Sequence, residues 1–200
     1  MMRLLDLLAA EAAQRGLLAE AGAPDAPTAF RLVRDMPYVR ATDRRPETII
    51  REWRGTCSGK HYLLRALFAE LGLRARLMAC TSVRTFTPET LSPGLYELLA
   101  PVNGRFVDIH NYLILQLPDG GEMVVDATWP LESAAAGLTV NERFVWGEDQ
   151  AIAAMPEQSW EVPAGEEAQA FKDRLLAAHF SPAELAAREA FLQAVMDRFR

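Results

Sequence analysis

Residues 54–76, RGTCSGKHYLLRALFAELGLRAR, decide how the chain is read, because a glycine-flanked cysteine opens a helical pattern there. At about 100° per residue, His61, Leu64, Phe68 and Leu71 fall within about 40° of the direction of Cys57. The spacing predicts an amphipathic helix whose apolar stripe is buried and whose polar end begins at the cysteine. Thr56 or Ser58 stands where a cap is needed for the free N–H groups, and the positive end of the helix dipole favours thiolate over thiol. That is how a weak thiol becomes a nucleophile. Position alone does not separate this reading from the alternative, a buried cysteine serving as a small hydrophobe.

Composition narrows the classes. A chain of 200 residues, 50% of them hydrophobic, is long enough for one sizeable core. A formal charge of −6 with no basic face argues against nucleic-acid binding. Cys57 and Cys80 form neither a CxxC pair nor part of a Cys/His cluster, so no metal, no cofactor and no disulfide is expected, and a reducing, cytoplasmic compartment fits. The opening residues MMRLLDLLAAEAAQRGLLAEAG are apolar in part. Asp6, Glu11 and Arg15 interrupt them, while Leu4, Leu5, Leu8 and Ala12 recur at helical spacing, which predicts a surface helix rather than a leader or a membrane span.

Moving outward from the cysteine, residues 22–28 are expected to end the first helix, and residues 31–35 to add at most a turn before Pro37. Tyr38 lies in a Pro-bounded loop, and Pro46, Glu47 and residues 49–53 predict a short helix ending near Trp53. Beyond Gly72, residues 74–83 alternate as a strand with Cys80 in its apolar part, read as core. Residues 85–104 read mostly as loop with a short strand or helical turn. From Glu132 to Ala154 no chemical pattern stands out. Residues 165–180 and 181–200 read as two helices, the second announced by Ser181, Pro182 and Glu184. His179, between them, reads as an exposed or capping residue.

The remaining stretch, RFVDIHNYLILQLPDGGEMVVDATW at residues 105–129, reads as a hairpin. Val107, Ile109, Leu113, Leu115 and Leu117 share one face, and Phe106, Asp108, His110, Tyr112 and Ile114 the other. His110 alone would pass for a core histidine. Asp126 alters the weighing, because a carboxylate that ends an apolar strand is costly unless it has a partner. The order Cys57, His110, Asp126 then supplies a nucleophile, a base to take its proton and a carboxylate to orient the base.

In RGTCSGKH, HNYLIL and VVDATW the chain resembles the transglutaminase-like superfamily of papain-related Cys-His-Asp enzymes, over roughly residues 36–130. The resemblance implies a thiol-dependent acyl-transfer or amide-hydrolysing enzyme with catalytic Cys57, His110 and Asp126, acting on a peptide, amide or acyl substrate, without nucleic acid or membrane. In such families an upstream segment lines the site, which makes Tyr38 and Trp53, with Ser58, candidates for binding substrate or oxyanion. Packing beside the central helix is the alternative for Tyr38 and Trp53. Ser58 and Tyr112 occupy places where the family commonly carries aromatic residues. Two other readings stand beside this one: a catalytically inactive binding or scaffold protein of the same fold, and an arylamine N-acetyltransferase-like acyltransferase; RGTC and DATWP here match the usual Arg-Gly-Gly lead-in and Asp-Val-Gly ending of the latter less well.

The expected fold is α+β, a cysteine-bearing central helix packed on an antiparallel sheet, with N-terminal and C-terminal helices. Residues 1–160 are read as the catalytic domain and 161–200 as its helical extension. One register follows from parity. A two-residue Asp119-Gly120 turn would pair Leu113 with Asp126 and turn the carboxylate away from the face of His110. A three-residue loop, Pro118-Asp119-Gly120, pairs Leu117 with Gly121 and sets Asp126 opposite Tyr112, diagonal to His110 at about 7 to 8 Å between backbones.

Overall fold

The computed structural model describes residues 2–18 and 22–197. It is an α+β fold. Four helices come first: α1 (Leu4–Gln14), α2 (Ala26–Arg34), α3 (Pro46–Glu52) and the cysteine helix α4 (Cys57–Glu70). Strand β1 (Ala75–Thr85), helix α5 (Pro93–Leu99), strands β2 (Arg105–Gln116), β3 (Glu122–Val125) and β4 (Ser159–Glu161), and helices α6 (Ala168–His179) and α7 (Pro182–Asp197) complete the chain. The sheet order is β3-β2-β1-β4. Among the described residues no helix is long and apolar enough to cross a membrane.

The hairpin has the three-residue loop. Leu113 pairs with Val125, Leu115 with Met123 and Gln116 with Glu122. The Leu117 N–H then donates to the Gly121 carbonyl at 2.8 Å, and Gly120 adopts φ 88°, the left-handed conformation that closes such a loop. The ladder ends at Leu113–Val125, one residue before Asp126.

Elsewhere the local rules of helix starts explain the differences from expectation. The first helix stops at Gln14, with Gly16 at φ 69°, well before Gly22. What reads as a proline-rich breaker is the start of α2: the Asp25 side chain caps it by accepting from the Thr28 N–H, and Pro27 sits in the first turn, where its missing N–H costs nothing. Pro93 opens α5 in the same way, inside a segment read mostly as loop. At α7 the expected capping box is present, Ser181 and Glu184 each accepting from the other's backbone N–H. The expectation that this helix runs to Arg200 with Phe199 on its apolar side lies, at residues 198–200, outside the described residues.

By contact the chain divides into two compact units, Met1–Met78 with Asn111–Ala153, and Ala79–His110 with Ala154–Arg200. In the first, α4 is central. Its first two turns, Cys57 to Leu64, are buried all round instead of on one stripe, because α1, α2 and α3 all pack on it. Leu8, Phe30, Ile50, Leu64, Phe68, Leu113 and Leu115 are essentially inaccessible. The glycines beside the cysteine serve this packing. A Cβ at Gly59 would come within 2.7 Å of Ile49 Cδ1 on α3.

The second unit is built from α5, α6, α7 and the strand segments beside them. Leu95 and Leu99 pack on Ala187 and Phe191, with Phe86 stacked and Phe106 tilted against Phe191. β4 joins β1 where the Thr81 N–H donates to the Gln158 carbonyl. His179 is exposed, with its ring 4.9 Å from Trp160.

Buried Asp108 on β2 fastens both C-terminal helices, accepting from Arg188 at 2.7 and 2.9 Å and lying 3.3 Å from Lys172 Nζ. Burial pushes its carboxyl up, but the charges of Lys172 and Arg188 and the Arg188 hydrogen bond outweigh this, so the carboxyl sits below its ordinary value. Asp108→Asn is expected to cost about 3 kcal/mol at neutral pH, read from the urea midpoint, because it removes the shared anion from two buried cations. A depressed carboxyl contributes stability above its unfolded value near pH 4 and loses it as pH falls through the lower folded value. The gap between parent and variant should therefore close in acid.

Candidate active site

The first unit contains Cys57, Ser58, Asp126, Tyr38 and Trp53; His110 belongs to the second, at the end of its portion of β2, and is 5% exposed. Cys57 is the first residue of α4 and 2% exposed. In an α-helix the first N–H groups have no carbonyl of their own helix to donate to, and they carry the positive end of the dipole. Neither expected cap acts there. Thr56 occupies the cap position without a side-chain capping hydrogen bond, and Ser58 Oγ donates instead to Asn111 Oδ1 at 2.9 Å. Cys57 Sγ lies 4.0 Å from Ser58 Oγ.

Asn111 is a site residue that the sequence reading passed over. It is fully buried, and its amide donates to the Met78 carbonyl at 3.0 Å, so it ties the first turn of α4 to both β1 and β2. An amide with its acceptor and a donor both used fixes the side chain's orientation.

Asp126 follows directly on β3 and is held from all sides. Its Oδ1 accepts from the Thr128 N–H at 3.0 Å and its Oδ2 from the Ala153 N–H at 2.8 Å. Its own N–H donates to Gln150 Oε1, and its carbonyl accepts from Asn141 Nδ2, both at 2.8 Å. Asn141 also exchanges hydrogen bonds with the backbone of Ala151 in both directions. The segment from Asn141 to Ala153, in which no chemical pattern was legible, is thus the cradle of this carboxylate. Asn141, Asp149 and Gln150 follow no helical or strand period, because their side chains are aimed at particular backbone groups of residues 124, 126, 143 and 151.

His61 lies beside the cysteine, and its bonding defines its role. The Ala127 N–H donates to Nε2 at 3.0 Å, so Nε2 carries no proton; Nδ1 therefore holds it and donates to the Cys57 carbonyl at 2.7 Å. The 3.6 Å approach of Nε2 to Asp126 Oδ1 has the length of an ion pair, but the ring is neutral in this arrangement and both facing atoms are acceptors. Both ring nitrogens are occupied by backbone. His61 is a brace between α4 and the chain leaving β3.

The two aromatic candidates differ. Tyr38 stacks on Trp129 at 4.2 Å between centroids, and the Pro37 carbonyl beside it accepts from the Gly55 N–H, which brings this pair to the turn ahead of Cys57. Trp53 adopts φ 51° at the end of α3, and the Arg15 guanidinium lies over its ring at 4.8 Å, so it packs toward α1.

Among the described residues no group of three or more His, Cys, Asp or Glu side chains is arranged to hold a metal ion. In comparison with known proteins, no family model matches the chain and no curated protein aligns with it significantly.

The brace role of His61 makes a specific expectation. His61→Ala strands the buried Ala127 N–H and opens a cavity, and should lower stability by about 2 to 4 kcal/mol in urea titration. The pH at which Cys57 becomes reactive should stay where it is. A profile displaced to that of an ordinary thiol would make His61 the base.

Proposed function

We propose that the chain is a thiol-dependent acyl-transfer or amide-hydrolysing enzyme of the transglutaminase-like kind, with Cys57 as nucleophile, His110 as base and Asp126 as the group that orients the base. The observation that carries the reading is the odd loop of the hairpin. The ladder runs to Leu113–Val125, so Asp126 follows one residue beyond it, at the parity that alternation along β2 gives Tyr112 and His110. The restraint on Asp126 supports the same reading, since a carboxylate that must hold an imidazole in one tautomer is useful only if it is itself fixed.

In this mechanism His110 takes the proton from Cys57 Sγ, and the thiolate attacks the carbonyl carbon of a peptide, amide or acyl substrate. The negative charge on the tetrahedral oxygen is met by backbone N–H groups at the start of α4. Collapse of the intermediate breaks the bond to the leaving amine, which departs with the proton from His110 and leaves a thioester on Cys57. Water or a second amine then attacks the thioester as His110 removes its proton, and the thiol is restored. Tyr38 and Trp129 offer an apolar wall beside the cysteine turn for the acyl group. Two free cysteines fit a reducing, cytoplasmic setting.

The test is the rate of alkylation by iodoacetamide against pH, with the adduct located by mass spectrometry. Cys57 should react well below the ordinary thiol range near pH 8.5, while Cys80, buried in β1, stays silent. His110→Ala should move the Cys57 profile up to that range, and Asp126→Asn should reduce turnover of an acyl substrate by at least about 100-fold. Labelling of Cys80 first, or a profile indifferent to His110→Ala, would leave the inactive binding protein as the better description.

A further inference from the structure

Of the 21 basic residues in the chain only Lys60 and Lys172 are lysines. Lys172 is accounted for by Asp108, whereas Lys60 has no carboxylate at hydrogen-bond distance. It is completely inaccessible, and its Nζ donates to two backbone carbonyls, those of Arg34 at 2.8 Å and Thr128 at 2.9 Å. One is the last residue of α2 and the other lies two residues past Asp126. The stem of Lys60 runs under the turn before the cysteine, where a Cβ on Gly55 would stand 3.3 Å from Lys60 Cγ. A side chain at Gly55 would crowd the lysine stem.

A buried ammonium is costly, and two neutral carbonyls do not neutralise it. The charges around it are Arg34 and Asp35 at the end of α2, Cys57 with the neutral His61 on α4, and Asp126 at the exit of β3. In the neighbouring elements Glu52 pairs with Arg54, Glu11 with Arg15, and Asp6 with Arg3. Arg34 donates to both Asp35 oxygens. Asp35, shared with Arg34, acts most strongly on Lys60, and the site's own Asp126 and Cys57 are the other anions it faces.

We propose that Lys60 is a positioning residue of the thiol site: its side chain clasps Arg34 and Thr128 beneath the first turn of α4 and, while protonated, is the positive charge that favours the anionic forms of Cys57 and Asp126. The inference rests on the thiol-enzyme reading. It makes the site sensitive to alkali. Burial lowers the ammonium to about 7, against the pull of Asp35 and Asp126. Neutral amine still has two N–H groups for the two carbonyls, so loss of its proton removes the charge and leaves the clasp. Stability runs the other way. The unfolded chain keeps this proton up to its ordinary value near pH 10.4, so the contribution of Lys60 to stability rises from about pH 7 upward as the thiol site loses its counter-charge.

With only two lysines, protein labelled with carbon-13 at lysine Cε gives two signals, assigned by Lys60→Gln. The Lys60 signal should titrate near neutrality, and in Cys57→Ser its midpoint should fall because a neighbouring anion is gone. In parallel, Lys60→Gln, which retains two N–H donors without charge, should slow alkylation of Cys57 at pH 7 by about tenfold, the effect of one unit in thiol pKa. A Lys60 midpoint near 10, a midpoint unmoved by Cys57→Ser, or an alkylation profile of folded Lys60→Gln that superposes on the parent's would overturn the proposal. The two readings fail separately. Sensitivity to His110→Ala without sensitivity to Lys60→Gln rejects the role of Lys60 alone, and the converse rejects the triad while keeping the counter-charge.

Discussion

Two consecutive side chains on the first turn of α4, Lys60 and His61, grip two consecutive residues of the chain leaving β3. His61 accepts from the Ala127 N–H, and Lys60 donates to the Thr128 carbonyl. The rest of the first unit depends on this grip, because both groups are fully buried and neither has water to fall back on. Shifting α4 along the sheet by a fraction of a turn would break both bonds at once. The position of the cysteine relative to Asp126 is thus set by hydrogen bonds of fixed length, and the surrounding apolar packing supplies the energy that keeps them made.

Around the grip lies a second ring of polar ties that closes long loops. Arg34, nearly inaccessible, donates to the carbonyls of Asn141 and Glu142, and Asn141 donates to that of Asp126. Gln150 receives the Asp126 N–H and donates from its own backbone to the Val124 carbonyl at the edge of β3. An irregular segment is held here by its side chains as firmly as a strand is held by its ladder. The closure entropy of such loops grows slowly with their length, so a few buried hydrogen bonds and the burial of Phe144 against Phe30 and Phe68 suffice to order it.

The second unit solves a comparable problem by different chemistry. There a single buried carboxylate, Asp108, gathers Lys172 and Arg188, and the apolar contact of α5 with α7 lies beside it. The chain's two lysines are both buried, and arginine serves as the cation at most other positions, including the buried Arg34.

The sequence by itself determined what depends on neighbours along the chain. The helix Cys57–Glu70, the strands flanking the Pro118-Asp119-Gly120 loop, the register of that hairpin and the capping box at Ser181 all follow from helical period, strand alternation and turn stereochemistry. Where such a local signal was misread, at Pro27, the error was to treat proline as a stop when it stood in a first turn. Only the tertiary structure decided that Ser58 turns from capping to Asn111, that His61 is spent on backbone, that residues 141–153 cradle Asp126, and that Lys60 is buried at all. Those bonds join residues far apart in the chain to single backbone atoms. No spacing announces them, because a side chain's partner across a fold is fixed by how the apolar elements pack, which the order of residues expresses only once the chain has closed on itself.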